Sequence, residues 1–259
     1  MSATSVQATT MSCGSGTAFE SPSLRCGVEQ GASSEVKFLV SADLAAALEL
    51  LLQDELTIDP HAAPFSDQRY QVRTLYTDTD AFAVFHRQGV HRHHKYRVRR
   101  YGDHSTVYLE QKSKTNGRVG KRRSAATLAE LCLLTCSYHR SAEQDWFCRS
   151  VVEDGLKPVC EVAYERRPYF GILEGQPVRL TLDRQLRGRP AAAWSFDHQA
   201  EWRPLFADRM ICELKFVGAL PRRFKEAIAQ LGMIPGGCSK YRHCVETLKL
   251  AERREPVDA

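Results

Sequence analysis

Five segments of this chain place charged side chains on alternate positions around apolar or neutral residues: Glu35-Val36-Lys37, Arg97-Val98-Arg99, Glu110-Gln111-Lys112, Arg179-Leu180-Thr181-Leu182-Asp183 and Glu213-Leu214-Lys215. In a β-strand, residues i and i+2 share a face, so each segment projects its charges together and turns a less polar face the other way. One such strand is explained by a solvated sheet face. Five of them, separated by helical segments, are better explained by a sheet rolled around a charged interior, with its apolar face outward under helices. Such an interior suits a highly charged ligand.

A chain of 259 residues can bury a substantial core, and 43% hydrophobic with 26% charged residues gives no support to wholesale disorder. The net charge of +5 favours anionic partners only modestly. Basic residues alternate with acids and form no concentrated stripe, so nucleic acid is not expected. No run approaches the roughly 20 apolar residues that span a bilayer, and the N-terminus lacks a secretory pattern. A cytoplasmic protein is expected, with any membrane association left to a partner protein; oligomeric state is not legible. The nine cysteines are scattered without C-x-x-C spacing, which reads as free thiols in a reducing compartment.

Residues 1–32, rich in Ser, Thr, Gly and Ala, read as a disordered leader, residues 33–248 as one domain, and residues 249–259 as a flexible tail. A strand over Glu35–Val40 runs into Ser41, a good N-cap for a helix from Ala42 to about Gln53. Strands are expected at Tyr70–Thr77, Lys95–Tyr101, Thr106–Ser113, Arg118–Ser124, Lys157–Arg166, Val178–Asp183 and Met210–Phe216. Asn116-Gly117 signals a turn, and Phe82–Gln88 reads equally as a short helix or strand. Helices are expected from Thr127, from Ser141 to about Val152, and from Pro221 to Leu231. Groups of turn-linked strands between helices favour an antiparallel α+β barrel over a doubly wound parallel sheet.

The basic members of the pattern are Lys37, Arg97, Arg99, Lys112, Lys114, Lys121, Arg123, Arg166, Arg179, Lys215 and Lys240. If most converge, their mutual repulsion requires a ligand with several negative charges, and a row of phosphates supplies it. Arginine forks grip phosphate oxygens in pairs while lysines act as point charges. Glu35, Glu110 and Glu213 each precede a lysine by two positions. They either pair with those lysines or supply oxygen ligands to Mg2+ or Mn2+, with Glu213 the strongest metal candidate.

Taken in order, Val72–Thr79, Lys95–Tyr101, Leu109–Lys112, Tyr164-Glu165-Arg166, Val178–Asp183, Glu213–Phe216 and Ser239-Lys240-Tyr241 resemble the VTC domain, from about Ser34 to Val245. That domain belongs to the polyphosphate polymerases among the triphosphate tunnel metalloenzymes, alongside the CYTH group. The resemblance implies an antiparallel eight-stranded β-barrel with helices packed outside. It further implies a metal-dependent polyphosphate polymerase that moves the γ-phosphate of ATP onto a growing chain, with Mn2+ or Mg2+ as cofactor. Lys37, Arg97, Arg99, Lys112, Lys121, Arg166, Arg179, Lys215, Ser239 and Lys240 would form the phosphate cradle, Glu213 would hold the metal, and Tyr164 would line the tunnel near the nucleotide.

The first motif departs from the fuller Glu-x-Glu-x-Lys signature of the CYTH relatives, because Ser33 stands at the first acidic position. The resemblance is to the stand-alone bacterial form, for which neither the regulatory domain nor the transmembrane helices of eukaryotic relatives are expected. Hydrolysis of inorganic or nucleoside triphosphate, and non-catalytic polyphosphate binding, are the competing functions. His86, His91, His93, His94 and His104 fit no standard zinc spacing and read as a solvated tunnel mouth. Cys238, His243 and Cys244 lack a nameable general-base partner, and Gly236-Gly237 lacks the spacing of a phosphate loop.

Overall fold

The computed structural model describes residues 33–63, 65, 67–115, 118–133 and 142–252. Residues 1–32, the Asn116-Gly117 turn and residues 253–259 of the expected tail lie outside the described residues.

Among the described residues, ten strands form one antiparallel sheet: β1 (Ser33–Val40), β2 (Leu56–Ile58), β3 (Tyr70–Asp78), β4 (His94–Tyr101), β5 (Thr106–Thr115), β6 (Arg118–Thr127), β7 (Lys157–Leu173), β8 (Gln176–Pro190), β9 (Arg203–Pro204) and β10 (Met210–Val217). The helices are α1 (Ala42–Leu51), α2 (Ala83–His86), α3 (Leu128–Leu131), α4 (Ala142–Glu153), α5 (Arg222–Gln230) and α6 (Lys240–Leu248), with a 3-10 turn at Gly89–Arg92. The main path runs β1-β10-β8-β7-β3-β4-β5-β6; β2 joins β7 and β9 joins β8.

The closed eight-stranded barrel expected above is corrected here, because the sheet has ten strands and is open between β1 and β6. Those two edges approach each other, but among the described residues they form no ladder. Part of the free edge of β1 is taken by the segment entering α6: the Gly236 N–H donates to Lys37 O at 2.8 Å, and Phe38 bridges Pro235. Lys112 on β5 reaches Glu35 on β1 at 3.3 Å, so an ion pair spans the seam where a backbone ladder would close it.

Alternation sends apolar side chains to the outer face. Phe38, Leu180, Leu182 and Leu214 pack beneath Leu48 of α1 and Phe224 of α5, while Leu75, Val98 and Leu109 share a core with Trp146 and Phe147 of α4. Each such burial stabilises by roughly 1.5–3 kcal/mol, which fixes the charged positions on the inner face.

Local chemistry accounts for the ends. The Leu44 N–H donates to the Ser41 hydroxyl at 3.2 Å, the expected cap of α1. The ambiguous Phe82–Gln88 stretch contains one helical turn, whose Val84 and Phe85 N–H groups donate to the Asp78 carboxylate at 2.8 and 2.9 Å. The expected strand ending at Arg166 continues to Leu173 through Pro168. Proline lacks an N–H, but Pro168 falls between the stretch paired to β3, which ends at Arg166, and the stretch paired to β2, which begins at Tyr169. At Gly171 a Cβ would lie 2.4 Å from Glu55 O, so this crossing needs glycine.

Candidate anion-binding site

The register of the sheet converts alternation into three charge clusters. On β1 and β10, Glu35 stands opposite Lys215 and Lys37 opposite Glu213. The Lys37 ammonium lies 2.8 Å from Glu35 Oε1 and 3.3 Å from Glu213 Oε2, between the two carboxylates. Lys215 reaches Glu213 at 3.0 Å, and Lys112 joins from β5 through Glu35. Burial pushes the Glu213 carboxyl up, but Lys215, Lys37, Arg166 and Lys240 outweigh it and hold the group well below the usual range. Burial and the charge of Glu213 likewise oppose ionisation of Glu35, yet Lys37, Lys215 and Lys112 keep its pKa lowered.

The second cluster centres on Glu110 of β5, which is wholly buried. Arg97 donates to it from β4 at 2.7 Å, Arg123 donates from β6, Arg99 lies 3.7 Å away and Lys121 3.6 Å away. Burial again opposes its charge, and these four cations hold its pKa well below normal. Tyr101 stands beside this hub, accepting from Arg123 Nη2 at 3.0 Å. Burial raises its pKa, but Arg99 and Arg123 dominate and draw it down to about 7.

In the third cluster Arg166 of β7 makes a two-pronged pair with Asp183 of β8 at 2.7 and 2.8 Å. Lys240, the first residue of α6, reaches the same carboxylate at 2.7 Å and lies 4.5 Å from the Tyr164 ring centroid. Despite burial, Arg166 and Lys240 lower Asp183 to about 2. Arg179 pairs with Asp59 at 3.2 Å. Ser239 caps α6 and accepts from Lys95 Nζ at 3.4 Å.

The structure thus gathers Glu35, Lys37, Lys112, Glu213 and Lys215; Arg97, Arg99, Lys121 and Arg123 around Glu110; and Tyr164, Arg166 and Lys240 around Asp183. Arg179 lies one lateral step from Lys215, while the Lys114 side chain lies outside the described residues. Sequence reasoning placed Asp183 on the charged face of its strand without naming its partners, and gave no role to Lys95, Tyr101 or Asp59. Lys95 and Tyr101 sit on the same alternation as Arg97 and Arg99, and that signal could have found them. Asp59 follows a three-residue strand and has no periodic signal.

Eleven cations (Lys37, Lys95, Arg97, Arg99, Lys112, Lys121, Arg123, Arg166, Arg179, Lys215 and Lys240) share this region with five carboxylates (Glu35, Asp59, Glu110, Asp183 and Glu213). The fold and this charge excess define a protein with a net-positive inner face on an antiparallel sheet. The chain belongs to the VTC domain family, whose pattern matches residues 32–249. A comparison with curated proteins finds no match. Among solved structures, a candidate adenylate cyclase from Bacillus halodurans is similar at 13% identity and a TM-score of 0.45, covering 82% of this chain and 98% of that one. A Hippeastrum protein, described as a candidate adenylyl cyclase with a dominant triphosphatase activity, is similar at 14% identity and a TM-score of 0.45, covering 80% and 92%. Among the described residues, no helix is long and apolar enough to cross a membrane.

Proposed function

We propose that this chain is a polyphosphate polymerase that transfers the γ-phosphate of ATP to a growing polyphosphate chain at this inner face. The observation that carries the reading is the excess of cations over carboxylates on buried, mutually facing strands. Uncompensated charges repel strongly at low dielectric, and a linear phosphate chain neutralises several at once. The arginine forks of Arg97, Arg99, Arg123 and Arg166 orient the phosphate oxygens, and Lys37, Lys112, Lys215 and Lys240 add point charge along the row. Their seating on six strands and the start of α6 holds donor and acceptor phosphates together, which is most of what phosphoryl transfer asks of a protein.

The donor set also fits a hard divalent cation. Glu213 stands close enough to Glu35 to oppose its charge, and the ammonium groups of Lys37 and Lys215 bridge the two carboxylates. Among the described residues no group of three or more His, Cys, Asp or Glu is poised for a metal, so phosphate oxygens and water would complete the coordination. Glu213 would hold Mn2+ or Mg2+ with help from Glu35. Bound there, the ion would withdraw charge from the phosphoryl oxygens. Glu110 is engaged by four cations and acts in this reading as their counter-charge.

Hydrolysis of triphosphate by the same site is not favoured, because each of the five carboxylates is engaged by a basic side chain and none is set aside to activate water. Glu213→Gln tests the assignment. Metal-dependent turnover should fall by about 100-fold or more while triphosphate affinity changes only a few-fold. Turnover at the original rate would refute the metal role.

A further inference from the structure

From Ala81 to Gly102 the chain carries six arginines and lysines and four histidines without one Asp or Glu. Lys95, Arg97 and Arg99 belong to the site described above. The stretch before them does not: it links β3 to β4 through α2 and the 3-10 turn, and His86, Arg87, Arg92 and His93 are exposed.

Three contacts place this stretch at the edge of the charged interior. The Arg242 side chain of α6 donates to Phe85 O and lies 4.7 Å from the Phe85 ring centroid, so α6 and α2 pack together. One turn earlier on the same helix, Ser239 accepts from Lys95. Lys95 itself stands opposite Lys112 in the β4–β5 register. The largest charges acting on Lys95 are positive: Lys37, Lys112, Arg87 and Arg97. A succession of basic side chains therefore leads from Lys37 and Lys112 inside, through Lys95, toward exposed Arg87. Arg87 is also held in a left-handed conformation (φ 59°) at the end of α2, with its N–H donating to Ala83 O and Val84 O. Such a conformation is uncommon for a non-glycine residue and fixes where its side chain leaves the backbone.

We propose that Arg87 and Arg92, continuing the line from Lys95, form a chain-end subsite that binds phosphates of a long linear polyphosphate beyond those gripped by the interior. The subsite rests on the reading of the interior as a phosphate-binding face. It needs no metal and no turnover, because it acts by charge alone. It confers preference for chain length: inorganic triphosphate is short enough to be held inside, whereas a long chain extends over the α2 segment.

The test compares wild type with the exposed double variant Arg87→Gln/Arg92→Gln by calorimetric titration, using inorganic triphosphate and a long-chain polyphosphate as separate ligands. Wild type should bind the long chain more tightly per chain than triphosphate. The variant should lose about tenfold in affinity for the long chain, with triphosphate affinity kept within about twofold. The long-chain affinity of the variant should also fall less steeply with added salt, as two fewer cations are engaged. Equal weakening for both ligands would make the segment a mere support of the interior and overturn the subsite. Unchanged binding of both would overturn it as well, and leave the interior reading standing. If wild type bound neither ligand, the interior reading would fail and the subsite with it.

Discussion

Replacing Glu110 with glutamine removes one charge from a wholly buried carboxylate that Arg97, Arg99, Lys121 and Arg123 approach from the two flanking strands. The substitution is nearly isosteric, so packing is preserved and the electrostatic loss is isolated. Breaking a buried pair from one side costs about 3–5 kcal/mol, because the partner charge is left uncompensated. For a chain of this size each kcal/mol lowers the melting temperature by about 2–4 °C, giving a fall of about 6–20 °C. The response to ligand has the opposite sign. Inorganic triphosphate at 100 times its dissociation constant stabilises wild type by about 2.7 kcal/mol. In Glu110→Gln the empty interior holds a further uncompensated positive charge, so the same ligand concentration should raise the melting temperature by more than in wild type. Thermal melts of both proteins with and without triphosphate measure both quantities. A variant melting within about 2 °C of wild type, or a ligand shift no larger than that of wild type, would refute Glu110 as the counter-charge of a phosphate site.

Lys95, lowered to about 8 by burial and then by Lys37, Lys112, Arg87 and Arg97, is partly neutral in the empty protein at pH 8.5, so an arriving polyanion should draw a proton onto it. Triphosphate titrations in two buffers of different ionisation heat should show that uptake in wild type and little or none in Lys95→Met; equal uptake in both would exclude Lys95 as its source. Because the folded pKa of Lys95 lies below its ordinary value of about 10.4, its charging opposes folding below pH 8, and this opposition is relieved as pH rises from 8 toward 10.4. Asp183 works in the other direction. Its folded pKa of about 2 lies below the ordinary value of about 3.9, so its stabilisation is present above that ordinary value and is lost as pH falls toward 2. Asp183→Asn should therefore flatten the loss of stability between about pH 4 and pH 2 in acid titrations followed by circular dichroism, and an unchanged profile would contradict the pairing with Arg166 and Lys240.

Much of the sheet was legible because alternation is a two-residue signal that survives in a single strand. Glu35, Lys37, Glu213 and Lys215 are readable as one face of two strands, and the register sets them opposite one another. The division of labour among the glutamates was not legible. Glu110 and Glu213 have the same i, i+2 lysine neighbour, and only the convergence of β4, β5 and β6 surrounds Glu110 with four cations. Helix α6 went unread although Tyr241, Cys244, Val245 and Leu248 lie at helical spacing on its buried face, because the preceding glycines and the Cys-His mixture drew attention to chemistry. The length of β7 was hidden by Pro168, which ends a strand by local rules but here falls at the handover between two partner strands. The open seam was beyond any local pattern, since it depends on residues 235–236 meeting β1 some 200 positions away in the chain.

The most direct test of the central claim is incubation of the purified chain with ATP and Mn2+, with ADP, free phosphate and long-chain polyphosphate all quantified from the same reaction. Long-chain polyphosphate appearing together with ADP is the predicted result. Free phosphate released without polymer would contradict the polymerase and assign the charged interior to hydrolysis.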